Sequence, residues 1–223
     1  MRCRRAVAVA VGLAAAALAA PGCGVLGKND HTPVAPAQNV RMDSEVLEEF
    51  AEGITKYVKL HRELTVRIPV AEPSWSAQQI ADRQRQLTVA IQNARREKRE
   101  GNIFKPEVAA AFRHVLAEAF ASPEGPAILH EIRSSGNPAT EGVPQQKNPR
   151  NETHKNVPLR VNAYYPDDAP LSSVPPTLLL KLPALPEEVR YRFVGRSLIL
   201  RDTEANVILD FLRDVVPDAS IPR

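Results

Sequence analysis

The chain is predicted to be an α+β protein, with an N-terminal bundle of three to four helices, a proline-rich linker and a C-terminal antiparallel meander of three to four strands. Three observations carry this. Between residues 43 and 134 apolar side chains recur every three or four positions, the period of a helix with one buried face. Ten of the 20 prolines then fall between Pro138 and Pro186, a density that breaks long helices. From Val189 the apolar period drops to two, that of a strand.

The order begins with residues 1–22, which carry Arg2, Arg4 and Arg5, an apolar run from Ala6 to Ala20 and small residues before a polar segment. These are the three parts of a bacterial export signal. The run is shorter than the roughly 20 residues a membrane-spanning helix needs. Two processing routes are open: cleavage after Ala17-Leu18-Ala19, or acylation of Cys23, because Ala20-Pro21-Gly22-Cys23 resembles the lipobox of bacterial lipoproteins. The second is preferred, since Cys3 lies within the signal and Cys23 has no partner for a disulfide. Residues 23–42 are polar, hold two prolines and show no period, as expected of a flexible tether.

The first helix is expected from Asp43, with Asp43 or Ser44 as its cap and Leu47, Phe50, Ile54, Tyr57, His61 and Leu64 on one stripe; Pro69 and Pro73 end it. A second is expected from Ser76, where Ser76 and Gln79 form a capping box, through Ile80, Leu87, Ile91 and Ala94 to Gly101 as C-cap. The short connection makes the pair an antiparallel hairpin. Its terminal run "RREKRE" reads as a solvated last turn; the sharper alternative is a basic patch for anionic lipid or polymer. Pro106 opens a third helix with Val108, Phe112, Val115, Leu116 and Phe120 inward, and "PEGPAILHEIRSS" a short fourth with Ile128, Leu129 and Ile132.

Residues 135–158 are the linker, and 159–216 the meander region. Leu159, Val161 and Ala163 alternate with Arg160, Asn162 and Tyr164, which predicts a strand that could join the sheet, and Leu178 to Leu182 form an apolar helical turn. Val189, Tyr191 and Phe193 alternate with Arg190 and Arg192, Gly195-Arg196 permits a tight hairpin, and "SLILR" returns. A turn over "DTEAN", closed by Asp202 and Asn206, leads into "VILDFL". Three strands alone have little core, so the tail is expected to dock on the helices or to add the 159–165 strand.

Charge excludes one class of function. Three of the 29 basic residues lie in residues 1–22, which hold no acid, so the remaining chain carries 26 of each sign. Without a basic surplus, no nucleic-acid partner is expected. No nucleophile elbow, glycine-rich phosphate loop or zinc-helix motif occurs, so no catalytic or cofactor residue is assigned. The acid pairs Glu48-Glu49, Asp167-Asp168 and Glu187-Glu188 read as solvated.

The stretch "LPEEVRYRFVGRSLILRDTEANVILDFL" resembles the C-terminal hairpin of small RcnB-like periplasmic proteins of nickel and cobalt homeostasis, through Leu185, Pro186, Tyr191, Arg192, Gly195, Leu198, Asp202, Ile208 and Asp210. Together with "GNIFKPEV", "VNAYYP" and "VPPTLLLKLPALPEE" it also resembles a recurring family of exported bacterial proteins of unknown function. The resemblance implies secretion and a helical body joined to a β tail, and no reaction. Nickel and cobalt favour imidazole, yet His31, His61, His114, His130 and His154 make no pair at helical spacing, so no metal ligand is assigned. Each histidine reads as a surface or half-buried structural residue. The alternative to a purely structural reading of the last strands is a small ion-contacting surface made by Arg192, Arg201 and Asp210.

The expected function is therefore that of a non-catalytic envelope protein, anchored to the membrane through a lipid on Cys23 or free in the periplasm, that binds an envelope protein or polymer. The alternative is an envelope hydrolase or ligand sensor with a site assembled only in three dimensions. A pocket with converging polar groups would favour the alternative; an exposed apolar or charged surface suffices for the first.

Overall fold

Five helices precede three strands in a computed structural model that describes residues 42–142 and 156–218. The expected signal, Cys23, almost all of the tether, the core of the linker, His31 and His154 lie outside the described residues. Helix α1 (Ser44–Thr65) follows the apolar stripe, with Phe50, Ile54, Tyr57, Val58 and His61 buried. Helix α2 (Ala77–Ala94) begins at the capping box, with both reciprocal bonds between Ser76 and Gln79 present. Helix α3 (Pro106–Ala121) has its proline in the first turn, where no N–H is needed. Helix α4 (Gly125–Ser134) follows, then the single turn α5 (Pro176–Leu179), which buries Leu178.

The sheet is a meander of order β1-β2-β3, with β1 Val189–Val194, β2 Ser197–Asp202 and β3 Ile208–Leu212. Val194 pairs with Ser197 across a turn in which Gly195 has φ +56, a backbone only glycine takes without strain. Helices and sheet share one core: Phe50 stacks on Phe104, Phe112 packs tilted or edge-on against both, and the Phe112 ring lies 6.1 Å from that of Tyr191 on β1. The other face of the sheet carries a second cluster, Val194, Ile199, Ile208 and Phe211 against Val157, Tyr165 and Ala169. The three strands are thus buried on both faces.

Both edges of the sheet are covered by irregular chain, which removes the open ladder that invites aggregation. On β1, Ser172 Oγ accepts from Phe193 N (2.9 Å) and donates to Phe193 O (2.7 Å), and Gly195 N donates to Pro138 O (2.8 Å). On β3, Asn162 N donates to Ile208 O (2.8 Å), Ile208 N to Ala163 O and Tyr165 N to Asn206 O.

Two expectations are corrected here. Residues 159–165 do not form a fourth strand: Leu159, Val161 and Ala163 do face the second cluster, but Asn162 sits at φ +65 and Ala163 N bonds back to Arg160 O, so only a single bridge, Tyr164 to Val207, joins the sheet. Helix α2 ends at Ala94 rather than at Gly101, so "RREKRE" lies in turns, and Ile80 and Ala94 are exposed. The cause is Arg95, whose side chain is 3 % exposed and turned inward.

Candidate functional site

The most concentrated chemistry lies where α1 and α2 meet the β2–β3 turn. Asp202 ends β2 with no exposure, and its Oδ1 accepts from Glu204 N (2.8 Å) and Ala205 N (2.5 Å), closing the turn as expected. Its Oδ2 faces α1, where it accepts from Tyr57 Oη and lies 2.7 Å from His61 Nδ1. The other ring nitrogen, His61 Nε2, is 3.1 Å from Glu204 Oε2. Glu204 is held in turn by Arg83 of α2, whose Nε donates to Pro69 O (2.8 Å), and Thr88 Oγ1 donates to Ala205 O (2.6 Å). The helical period placed His61 on the buried stripe, one turn from Tyr57, but its partners are 141 and 143 residues away.

The protonation of His61 follows from these partners. An ionised carboxylate only accepts, so both contacts are hydrogen bonds only when both ring nitrogens carry hydrogen. Burial opposes the charge, yet the bond and charge of Asp202, then of Glu204, outweigh it and hold the imidazole above its ordinary value. Burial and the charge of Asp202 push the Tyr57 hydroxyl far upward, so it stays a donor. A general base would need a free Nε2 facing a nucleophile. Here Nε2 is taken by Glu204, and the neighbouring hydroxyls are spent on carbonyls, Thr65 on His61 O and Thr88 on Gln84 O and Ala205 O. The arrangement is an electrostatic clasp between helix and sheet.

Two further joints fix the same body. Arg95 donates from Nε to Asn162 Oδ1 (3.0 Å) and from Nη2 to Leu209 O (2.8 Å), lies 5.1 Å from the Tyr57 ring, and receives the Asn162 amide on its own carbonyl. Asp210 collects the backbone N–H groups of Gly101, Ile103 and Phe104, at 2.7 to 3.0 Å, and that of Phe211. The surface contact expected of Arg192, Arg201 and Asp210 is therefore not formed. Asp210 has no exposure and serves the α2–α3 loop, and burial holds its carboxyl above the usual range despite four backbone bonds. Arg201 is buried against Asn206 and the Tyr165 ring. Arg192 is half-buried, and burial lowers its basicity.

Besides one of about 750 Å³ bordered by Glu45, Glu48, Glu49, Glu52 and Glu107, two of the concavities among the described residues bear most on binding. One, of about 770 Å³, is lined by Arg133, Arg160, Arg196 and Arg213 together with Glu141, Asp214 and Asp218. Its charges compensate one another: Arg196 lies 3.6 Å from Asp214 and from Asp218, Arg160 3.8 Å from Glu141, and Arg213 3.2 Å from Glu100 outside it. The other is a groove of about 590 Å³ along α1, floored by Leu47, Phe50, Ala51, Ile54 and Val58 and walled opposite by Pro183, Ala184 and Pro186. Lys59, Arg62 and Glu63 stand at one end, where Arg62 Nε and Nη2 are each 2.8 Å from Glu188 Oε1. That pair ties the two walls together, because Glu188 follows Pro186 by two residues.

Among the described residues no helix is long and apolar enough to cross a membrane, and no group of three or more His, Cys, Asp or Glu side chains could hold a metal ion. No family model, curated protein or solved structure matches the chain.

Proposed function

We propose that the chain is an exported, envelope-tethered binding module that holds an apolar ligand in the α1 groove. The observation that supports this best is the groove itself: a concavity of about 590 Å³ whose floor is aliphatic and aromatic, with charge confined to one end. Its walls also favour one ligand class. Pro183 and Pro186 have no N–H, Pro183 O accepts from Tyr191 Oη (3.1 Å), and Pro186 O accepts from Val189 N (3.1 Å) and Arg190 Nη1 (2.7 Å). An extended peptide would find at most the backbone of Ala184 to pair with there, too little for a ladder. A hydrocarbon chain needs none.

The address rests on the N-terminal pattern, the unpaired Cys23, and the resemblance of the last hairpin to that of RcnB-like periplasmic proteins. A hydrolase is the less favoured reading, because His61 is engaged on both nitrogens. Two measurements test the proposal. Mass spectrometry of the mature N-terminus, with Cys23→Ala fractionated beside wild type, is expected to give an acylated Cys23; a soluble wild-type chain starting at Ala20 overturns the anchor. Titration with the fluorescent fatty acid parinaric acid is expected to saturate for wild type and to weaken at least about tenfold for Ala51→Glu, because a bound apolar chain would have to desolvate the new charge at this exposed position. Binding that is absent, or indifferent to Ala51→Glu, overturns the groove.

A further inference from the structure

The geometry points to a proton-operated clasp between α1 and the β2–β3 turn, closed while His61 is an imidazolium and released as pH rises. His61 is 3 % exposed and meets a carboxylate oxygen at each ring nitrogen, Asp202 on one side and Glu204 on the other. Loss of one proton leaves one N–H and one lone pair, so in either tautomer one nitrogen turns its lone pair toward an acceptor. One of the two bonds becomes a repulsion.

Charged and hydrogen-bonding groups face the ring from every element packed against it. From α1 come Tyr57, a neutral donor to Asp202, and Arg62, bonded to Glu188. From α2 come Arg83, bonded to Glu204, and Arg95, whose charge is felt by Tyr57 and Asp202. From the sheet and its turn come Glu188, Asp202 and Glu204. Arg62 and Arg83 are already committed, which leaves His61 as the cation bonded to Asp202. Asp202 keeps Tyr57 Oη and two backbone N–H groups, and Glu204 keeps Arg83, so the turn survives deprotonation and α2 stays attached. What weakens is the hold on the last turns of α1 at His61, between the bond of Tyr57 to Asp202 and that of Arg62 to Glu188, which remain.

The consequence reaches the groove, since His61 precedes Arg62 and lies one turn beyond Val58, and Val58, Lys59, Arg62 and Glu63 form that end of the wall. This last step rests on the groove being the binding surface. The clasp itself does not.

The experiment uses the mature chain and its Glu204→Gln variant. A glutamine can donate from its amide to a neutral His61 Nε2 while its oxygen still accepts from Arg83, so the variant satisfies the ring without the second proton. Imidazole NMR is expected to show wild-type His61 titrating above 6.5, with protection of amides 57–65 against hydrogen exchange, measured relative to α3, falling about tenfold or more across the titration, the factor that one pKa unit of coupling supplies. In Glu204→Gln the protection stays flat over the same range. His61 titrating at or below 6.5, or an equal fall in both proteins, overturns the clasp. Parinaric acid binding followed in parallel separates the readings: absent binding with a normal titration overturns the groove alone, and a pH-independent α1 overturns the clasp alone.

Discussion

Replacing Asp210 tests whether the last strand is a hub of the fold or a polar surface. Its carboxylate accepts four backbone N–H groups, from Gly101, Ile103, Phe104 and Phe211, at 2.7 to 3.0 Å, and has no exposure. Asp210→Ala leaves all four donors without that acceptor, and each buried unsatisfied donor costs about 1–3 kcal/mol. The half-exposed Gly101 admits water, and removing a buried charge returns part of its desolvation cost, which is what holds this carboxyl above its usual range. The expected loss therefore sits near the lower end, about 4 kcal/mol, a large part of the roughly 5–15 kcal/mol that holds a typical domain together. Asp210→Asn keeps the shape and one acceptor oxygen but aims its NH₂ at donors, so about half that loss is expected. Urea unfolding of the mature chain, followed by far-UV circular dichroism at pH 7, should rank wild type above Asn and Asn above Ala with similar slopes. An alanine variant within about 1 kcal/mol of wild type would refute the reasoning and restore a solvent-facing carboxylate.

Arg95→Lys keeps the charge and loses the fork that reaches Asn162 Oδ1 and Leu209 O together; about 2 kcal/mol of stability should be lost, read from the urea midpoint. Glu188 is buried, which opposes its charge, but its own backbone N–H and then Arg62 hold its carboxyl below the ordinary 4.5. Its contribution is thus full above 4.5 and is lost as pH falls through the lower folded value, so Glu188→Gln should flatten the acid limb of stability between about pH 5 and 3. A methyl group added at Gly125 would fall against the carbonyl of Phe120, so Gly125→Ala must shift the start of α4; a loss of about 2 kcal/mol is expected, visible as a lowered Tm.

What the sequence showed was what local spacing controls. The stripe of α1 from Phe50 to His61, the Ser76–Gln79 box, the Pro106 start of α3 and the two-residue period of β1 each arise within a few residues, and each is found in place, whereas Leu47 at the head of the stripe is exposed. The misreadings have non-local causes. Nothing near Arg95 shows that its guanidinium is received by Asn162 and Leu209, 67 and 114 residues away, yet α2 ends there, nearly two turns before Gly101. Alternation in 159–165 marked the buried side chains correctly, while the positive φ of Asn162 broke the backbone that alternation implies. For Asp210 the sequence favours a structural role over an ion-contacting surface but does not show its partners, because the loop amides that surround it come from residues 101–104, and no residue type announces a backbone donor.

Comparing the two aspartates shows why pH should act on one helix and spare the others. Both stand on the sheet and both hold helical chain against it, Asp202 through side chains of α1 and Asp210 through backbone N–H groups between α2 and α3. Backbone amides do not titrate, so the second joint keeps its donors at any pH where the carboxylate is ionised. The first includes an imidazole, the side chain whose ordinary charge change falls nearest neutrality. The α2 joint likewise depends on Arg95 and on Thr88 bonded to Ala205 O, groups that do not change charge near neutral pH. A rise in pH therefore weakens the hold on α1 while α2, α3 and the sheet stay locked, and α1 is the element that forms the floor of the groove.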